Sequence, residues 1–200
     1  MEITARPAPA AETGAPGTSW RGSWTPSRPR DAQLLRGLPA SQRLLLTTDG
    51  TLTAALATLL DEPIAVWRLG DELVTLEHDD DALALAAARR VLVRTVLLYG
   101  ARSRTPLLFG CSRIALGRLP GEVRRALLRT DAPIGLVLRE HRIETFRSPL
   151  RVGIVPATAD AAALLGDGLM CRRTYAIASA GAPLMVVDEQ FPARGFGAQG

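Results

Sequence analysis

Lysine and asparagine are missing from this 200-residue sequence, and all 24 of its basic residues are arginine. With the abundance of alanine and glycine, this bias is typical of GC-rich codon usage rather than of a chemical requirement. It therefore weakens the meaning of the net charge of +4, which by itself favours anionic partners. The arginines are spread along the chain among acidic residues, and no nucleic-acid-binding motif accompanies them. We expect no nucleic-acid partner.

Cysteines are few, and long apolar runs are absent. Cys111 and Cys171 form no CxxC pair and have no histidine at ligand spacing, which excludes a disulfide framework and a zinc site. No apolar run reaches the ~18–20 residues that a membrane span needs. The N-terminal segment lacks the apolar region of a secretory signal. We therefore expect a cytoplasmic protein that does not bind membranes.

Common nucleotide-binding and metalloprotease motifs, GxGxxG, GxxxxGK[ST] and HExxH, are also missing. His78 stands beside the acidic residues Asp79–Asp81 and resembles part of a metal site. A helix that begins with acidic residues after a strand explains the same pattern. We expect no metal here.

The chain divides into one domain and two tails. Residues 1–30 are rich in Pro, Ala, Gly, Ser and Thr, a composition that cannot bury enough apolar surface to fold. We expect a disordered tail there, a domain over residues 31–193 and a flexible C-terminal tail over 194–200. Aromatic residues make up only 4% of the chain, so aliphatic side chains must fill the core.

The predicted elements are strands and short helices. Helices are expected at residues 31–38, 41–46, 51–60, 119–130, 133–140 and 157–168, with an Ala-rich helix after residues 79–81. Strands are expected at 64–69, 72–78, 91–100, 105–116, 141–156, 172–179 and 183–192, with hairpin turns at Gly70-Asp71 and around 180–182. Gly110 indicates a bulge or a close backbone approach. The pattern predicts an α+β domain built on an antiparallel sheet.

Glu189 lies in an unusual place within the last predicted strand, PLMVVDEQFP. Strand side chains alternate between faces, so Met185, Val187, Glu189 and Phe191 share one face while Asp188 points the other way. A buried carboxylate without a partner is costly. Glu189 therefore has either a structural partner or a functional role.

Arg94 raises the same question within the strand VLVRTVLLYG. Its neighbours on both faces are apolar, and an arginine cannot lose its charge. One interpretation is a direct Arg94–Glu189 salt bridge in the core. The other is a cavity in which Arg94 binds a ligand carboxylate through two hydrogen bonds and Glu189 accepts a hydrogen bond or transfers a proton at the opposite end.

Five segments, taken in order, resemble one known family. They are LLLTTDGTLTAAL, VLVRTVLLYG, PLLFGCSRIALGRLP, DAPIGLVLREHRIETFR and RRTYAIASAGAPLMVVDEQFP. Together they resemble chorismate pyruvate-lyase, the 4-hydroxybenzoate synthase family, over about residues 32–192. The resemblance implies a six-stranded antiparallel sheet with helices packed on it and a buried ligand cavity under two helical flaps.

The resemblance also implies roles for individual residues. Arg94 matches the arginine that binds the ring carboxylate, and Glu189 matches the glutamate at the hydroxyl end of the product. Leu52 and Ile134 match residues whose backbone contacts the ligand. Arg173 is our candidate for the enolpyruvyl carboxylate, with Arg172 as the alternative. No metal or cofactor is implied, and we expect a monomer that acts on the small molecule chorismate.

Three departures from the family pattern are visible, and two of them affect the last strand. Asp188 replaces the usual threonine beside Glu189, and Ile134 replaces a leucine in the PIG segment. Relative to the ubiquinone-pathway branch, the spacing from Pro183 to Glu189 is one residue longer, which predicts a bulge that could change the face on which Glu189 lies.

Two other functions remain open at this stage. The same fold forms the ligand-sensing domain of a class of bacterial repressors, so a non-catalytic domain that binds aromatic acids is one alternative. Residues 1–30 cannot supply the helix-turn-helix that precedes it in those repressors. The other alternative is a lyase that makes a different aromatic acid from chorismate.

Overall fold

The computed structural model describes residues 35–48, 50–130 and 132–196, apart from the side chains of residues 149 and 150. The predicted N-terminal tail lies outside these residues, as does most of the predicted C-terminal tail. Phe196 packs on the core, with its ring centroid 6.2 Å from that of Phe191. The packed domain therefore extends at least three residues beyond the predicted boundary at residue 193.

One antiparallel sheet of six strands forms the centre of the domain, as predicted. The strands are β1 Ile64–Thr75, β2 Arg90–Gly100, β3 Pro106–Ile114, β4 Phe146–Pro156, β5 Leu169–Ser179 and β6 Ala182–Pro192. Their spatial order is β1-β2-β3-β6-β5-β4. The hairpin between β5 and β6 turns at Ala180 and Gly181, both of which have positive φ.

Five helices and a short 3-10 turn lie entirely within the described part of the chain. They are α1 Ala40–Thr47, α2 Leu52–Leu60, α3 Gly121–Arg129, α4 Ile134–Glu140 and α5 Ala159–Leu165, with the turn at Leu116–Arg118. Pro120 and Pro133 occupy the N-cap positions of α3 and α4. Thr158 caps α5 by accepting a hydrogen bond from the Ala161 amide. None of these helices is long and apolar enough to cross a membrane.

The hairpin predicted at Gly70-Asp71 is wrong, because β1 continues through this site as a single strand. Its pairing with β2 shifts between Arg68, opposite Val96, and Gly70, opposite Thr95. Leu69 is therefore the extra residue of a β-bulge, a feature that glycine accommodates as readily as a turn. The bulge places Asp71 directly opposite Arg94.

The Ala-rich helix predicted after residues 79–81 is also wrong. The Asp79 and Asp80 side chains accept hydrogen bonds from the Ala87 and Leu83 amides, at 2.8 and 3.1 Å. Such bonds offer the backbone an alternative to the helix, and this segment forms turns. The turns bury Leu83 against Val91 and Val186.

The opposite face of the sheet carries two apolar clusters, with polar residues on the strands between them. One cluster includes Leu56, Leu98 and Phe191, and the other includes Val123 and Met185. Between them the sheet presents the buried polar side chains Arg94, Ser112, Arg173 and Glu189. The hydrophobic core on this face is therefore divided into two parts, and the charged side chains between them lie beside a cavity.

Candidate functional site

A cavity of about 470 Å³ lies between this face of the sheet and the helices α2 and α4. Four of the five predicted site residues line it: Leu52, Arg94, Ile134 and Glu189. The cavity under helical flaps is therefore present as expected. Arg173, the fifth, does not line it.

Leu52 and Ile134 are the first residues of α2 and α4, so both helices begin at the cavity wall. The two helices approach each other closely at this point. A Cβ atom added to Gly135 would lie 3.0 Å from the Thr51 Cγ2 atom. Gly135 thus permits the close helix packing that covers the cavity.

Arg94 projects from β2 and is only 2% exposed. Its Nε and Nη2 atoms donate to the Oδ1 and Oδ2 atoms of Asp71, at 2.8 and 2.7 Å. Nη2 also donates to the Leu127 carbonyl, in the last turn of α3, at 2.6 Å. Arg94 therefore has a carboxylate partner, and that partner is Asp71 rather than Glu189.

Glu189 projects from β6 and is bound on both carboxylate oxygens. Arg173 Nε donates to Oε2 at 2.6 Å, and the Tyr175 hydroxyl donates to Oε1 at 3.2 Å. Burial raises the pKa of Tyr175, and the Glu189 charge raises it further, so the phenol keeps its proton and remains a donor. Tyr175 also lines the cavity.

Arg173 is paired with Glu189 and does not line the cavity, so its predicted contact with the enolpyruvyl carboxylate stays a prediction. Its Nη1 atom donates to the carbonyls of Leu45 and Thr48 at the end of α1, each at 2.9 Å. Burial tends to lower the pKa of Arg173, but Glu189 and Tyr175 together outweigh it and the pKa is raised. The Nη2 atom is buried without a hydrogen-bond partner among the described residues.

Arg172 lies on the opposite face of the sheet. Its Nε atom donates to both oxygens of Asp188, at 3.0 and 2.9 Å. Asp188 thus points away from Glu189 although the two are adjacent in sequence. Three other arginines do line the cavity, namely Arg68, Arg139 and Arg147.

The bulge predicted between Pro183 and Glu189 occurs at Leu184. Met185 pairs with Ile177 and Pro183 pairs with Ala178, which leaves Leu184 without a counterpart. The strand is regular from Met185 onward, so the predicted face of Glu189 is correct.

Gly110 makes room in the middle of the cavity floor. It pairs with Val96 on one side and Glu189 on the other. A Cβ atom at this position would lie 3.1 Å from Val96 Cγ2. The close approach predicted for Gly110 is present, and no bulge occurs there.

The site therefore has two polar ends and an apolar middle. Arg94 and Arg68 provide guanidinium groups at one end, with Asp71 between them, and the oriented Glu189 carboxylate provides a hydrogen-bond acceptor at the other. Between them lie Val96 and Val187. Such a cavity can hold a flat apolar ring with a carboxylate at one end and a hydroxyl at the other. Sequence reasoning missed Asp71 and Tyr175, although a glycine inside a strand pattern is a known sign of a bulge.

Comparison with protein families and curated proteins gives consistent matches. A family model described as Chorismate pyruvate-lyase Rv2949c-like matches residues 46–195. A chorismate pyruvate-lyase of Mycobacterium tuberculosis is 32% identical over 169 residues, which cover 80% of this chain and 83% of that protein. A chorismate pyruvate-lyase of Mycobacterium leprae is 30% identical over 164 residues, which cover 78% and 76%.

Solved structures of bacterial regulators share the fold. The effector domain of PhnF from Mycobacterium smegmatis has a TM-score of 0.57 and 16% identity, covering 72% of this chain and 89% of that chain. The C-terminal domain of the histidine utilization repressor from Pseudomonas syringae has a TM-score of 0.52 and 14% identity, covering 68% and 96%. At such identities the likeness extends to the fold alone.

Proposed function

Since this chain belongs to the Rv2949c-like chorismate pyruvate-lyase family, we propose that it converts chorismate to 4-hydroxybenzoate and pyruvate. The proposal depends mainly on one observation. Arg94 and Glu189 line the same cavity, and they share no hydrogen bond or ion pair. Each is bound to a partner of its own instead of to the other. Arg94 can therefore contact one end of a ligand while Glu189 contacts the other end.

The spacing of the two residues suits a single aromatic ring. Arg94 is on β2 and Glu189 is on β6, with β3 between them. Two strand separations amount to about 10 Å, and Glu189 is offset from Arg94 by two residues along β3, from Ser112 to Gly110, so the backbone positions lie about 12 Å apart. Gly110, on the intervening strand, leaves space for the ring above the sheet.

The reaction is an elimination that needs little catalytic machinery. The C3–O ether bond of chorismate breaks, the C4 hydrogen leaves as a proton, and the ring becomes aromatic. The released enolpyruvate takes up a proton and becomes pyruvate, so the atoms balance. Aromatisation supplies the driving force, and the protein contributes orientation and exclusion of water.

Each site residue has a defined part in this proposal. Arg94 binds the ring carboxylate, while Glu189 accepts a hydrogen bond from the 4-hydroxyl and assists proton transfer. The backbone at Leu52 and Ile134 contacts the ligand from the flaps. The enolpyruvyl carboxylate is bound by arginines that line the cavity, of which Arg147 projects from β4 beside Tyr175.

The direct test is to incubate the purified protein with chorismate and identify the products by chromatography and mass spectrometry. We expect 4-hydroxybenzoate and pyruvate in equal amounts, and we expect the rate to be unchanged after treatment with a chelator. Chorismate without protein is the control for spontaneous decay.

Three results would contradict parts of the proposal. A different aromatic acid would overturn the regiochemistry, and loss of turnover with chelator would overturn the cofactor-free reaction. Binding of 4-hydroxybenzoate with no pyruvate release under any condition would instead indicate a sensing domain.

A further inference from the structure

The bulge in β1 determines which residue faces Arg94. Without the bulge, a regular register that continued from Arg68 would pair Leu69 with Thr95, place Gly70 opposite Arg94 and turn Asp71 to the other face of the sheet. With it, Asp71 pairs directly with Arg94 and lies on the same face. The chain thus departs from regular strand geometry at the position that brings a carboxylate to the cavity arginine.

The contacts of Arg94 leave one nitrogen for a ligand. Asp71 accepts from Nε and Nη2, and the Leu127 carbonyl accepts a second hydrogen bond from Nη2. These three bonds fix the plane of the guanidinium group. Nη1 makes no hydrogen bond to a described residue, and Arg94 lines the cavity.

Asp71 also approaches a second cavity arginine. Arg68 Nη1 lies 3.5 Å from Asp71 Oδ2 and 3.5 Å from the Thr130 carbonyl, just beyond α3. The Asp71 side chain is 21% exposed, whereas that of Arg94 is 2% exposed. Asp71 thus lies between two arginines that both line the cavity.

We propose that Asp71 is a positioning residue that holds Arg94 in place for a ligand carboxylate, so that this end of the cavity selects one carboxylate group through Nη1. The identity of the ligand, an aromatic acid, rests on the proposed function. Preorganisation of the arginine removes the entropy cost of ordering a long side chain when the ligand binds.

A competing interpretation predicts the opposite change in ligand affinity when Asp71 is replaced. If Asp71 merely occupied the place of the ligand carboxylate, its removal would free Arg94 and strengthen binding. If Asp71 positions Arg94, its removal releases the guanidinium group and weakens binding. Whether the substitution of Asp71 strengthens or weakens ligand binding therefore distinguishes the two interpretations.

The test compares Asp71→Asn with the wild type on two ligands. 4-Hydroxybenzoate carries the carboxylate, whereas 4-hydroxybenzyl alcohol lacks it. We expect Asp71→Asn to weaken binding of 4-hydroxybenzoate by about tenfold or more and to change binding of the alcohol by less than about twofold, since only the carboxylate contact is lost. The KM for chorismate should rise more than kcat falls.

Asp80→Asn is the matched control. Asp80 accepts from Arg113 Nε at 2.8 Å and does not line the cavity, so the variant breaks a similar ion pair elsewhere. We expect its ligand affinities to equal those of the wild type. Equal weakening of both ligands by Asp71→Asn, or tighter binding of 4-hydroxybenzoate, would overturn the proposal.

A second measurement does not depend on any ligand. The Nε–H resonance of Arg94, identified by its loss in Arg94→Lys, should exchange slowly with solvent in the wild type and at least about tenfold faster in Asp71→Asn, because the protecting hydrogen bond is weakened. An unchanged exchange rate would overturn the proposal. If the wild type neither releases pyruvate nor binds 4-hydroxybenzoate, the proposed function fails and this exchange rate alone decides the role of Asp71.

Discussion

At the scale of single residues, each buried charge at the cavity has a partner on the protein. Arg94 is paired with Asp71, and Glu189 is paired with Arg173. The interpretation of Arg94 and Glu189 as one core salt bridge is therefore wrong. A buried ion needs a counter-ion in the empty protein, and two separate pairs supply it without filling the cavity.

Replacement of Glu189 by glutamine tests its part in the reaction. The amide keeps the shape of the side chain but cannot take up a proton, so we expect turnover to fall by ~10²–10⁴-fold if the carboxylate transfers a proton. Steady-state kinetics with chorismate measures this fall. Near-normal turnover would show that Glu189 serves only the fold.

Double-mutant cycles on the free energy of unfolding distinguish the partners of Glu189. Loss of one member of a buried pair costs ~3–5 kcal/mol, so substitutions of Glu189 and Arg173 should be strongly non-additive. Substitutions of Glu189 and Arg94 should be nearly additive in the empty protein. Strong coupling in the second cycle would contradict the separate ion pairs.

At the scale of elements, the helices α2 and α4 cover the cavity and meet at Gly135. Alanine there would place a methyl group 3.0 Å from Thr51 Cγ2, so the Thr51 side chain or one of the helices must move by a few tenths of an ångström. Crowding of this kind costs ~1–3 kcal/mol. We expect this cost to fall on the packing of the two helices that cover the cavity.

We therefore expect Gly135→Ala to weaken binding of 4-hydroxybenzoate by about fivefold or more, as measured by titration, because the helices no longer close fully. Gly121→Ala is the control, since a Cβ atom there meets only the flexible end of Arg125 at 3.6 Å. It should leave binding unchanged. Equal effects of the two substitutions would mean that helix propensity, not contact between the helices, is responsible.

At the scale of the whole molecule, buried thiols make stability depend on alkaline pH. Burial raises the pKa of Cys171 from 9.0 to about 11, and burial also raises the pKa of Cys111. Because the folded pKa exceeds the unfolded one, this stabilisation is complete below about pH 9 and is lost as the pH rises towards 11.

We expect the free energy of unfolding to decrease between pH 9 and 10.5, and to decrease less steeply in Cys171→Ala. Urea unfolding at a series of pH values measures both slopes. The raised pKa of Tyr175 adds a further loss in the upper part of this range and above it, so the comparison of slopes is best made near pH 9–10. Parallel curves for the two proteins would show that Cys171 is not responsible.

Monomeric state, cytoplasmic location and the absence of nucleic-acid, membrane, metal and cofactor partners stay predictions. Each follows from composition or from the family resemblance.

Local sequence by itself determined most of the helices and strands, and it determined which side chains of β6 lie on the cavity face of the sheet. Alternation along β6 correctly put Val187 and Glu189 on one face and Asp188 on the other. Arg94 and Glu189 stood out because charge is unexpected in apolar strands. Such features can be predicted because they depend on neighbours that lie within a few residues in the chain.

Tertiary structure alone decided which charges are paired. The segment Arg68–Asp71 suits a turn and a bulge equally well, and only pairing with β2 makes it a bulge that brings Asp71 to Arg94. Likewise, Arg173 is bound by carbonyls at the end of α1, more than a hundred residues away in sequence. Strand register and helix docking are set by long-range packing, so local sequence does not specify these partners.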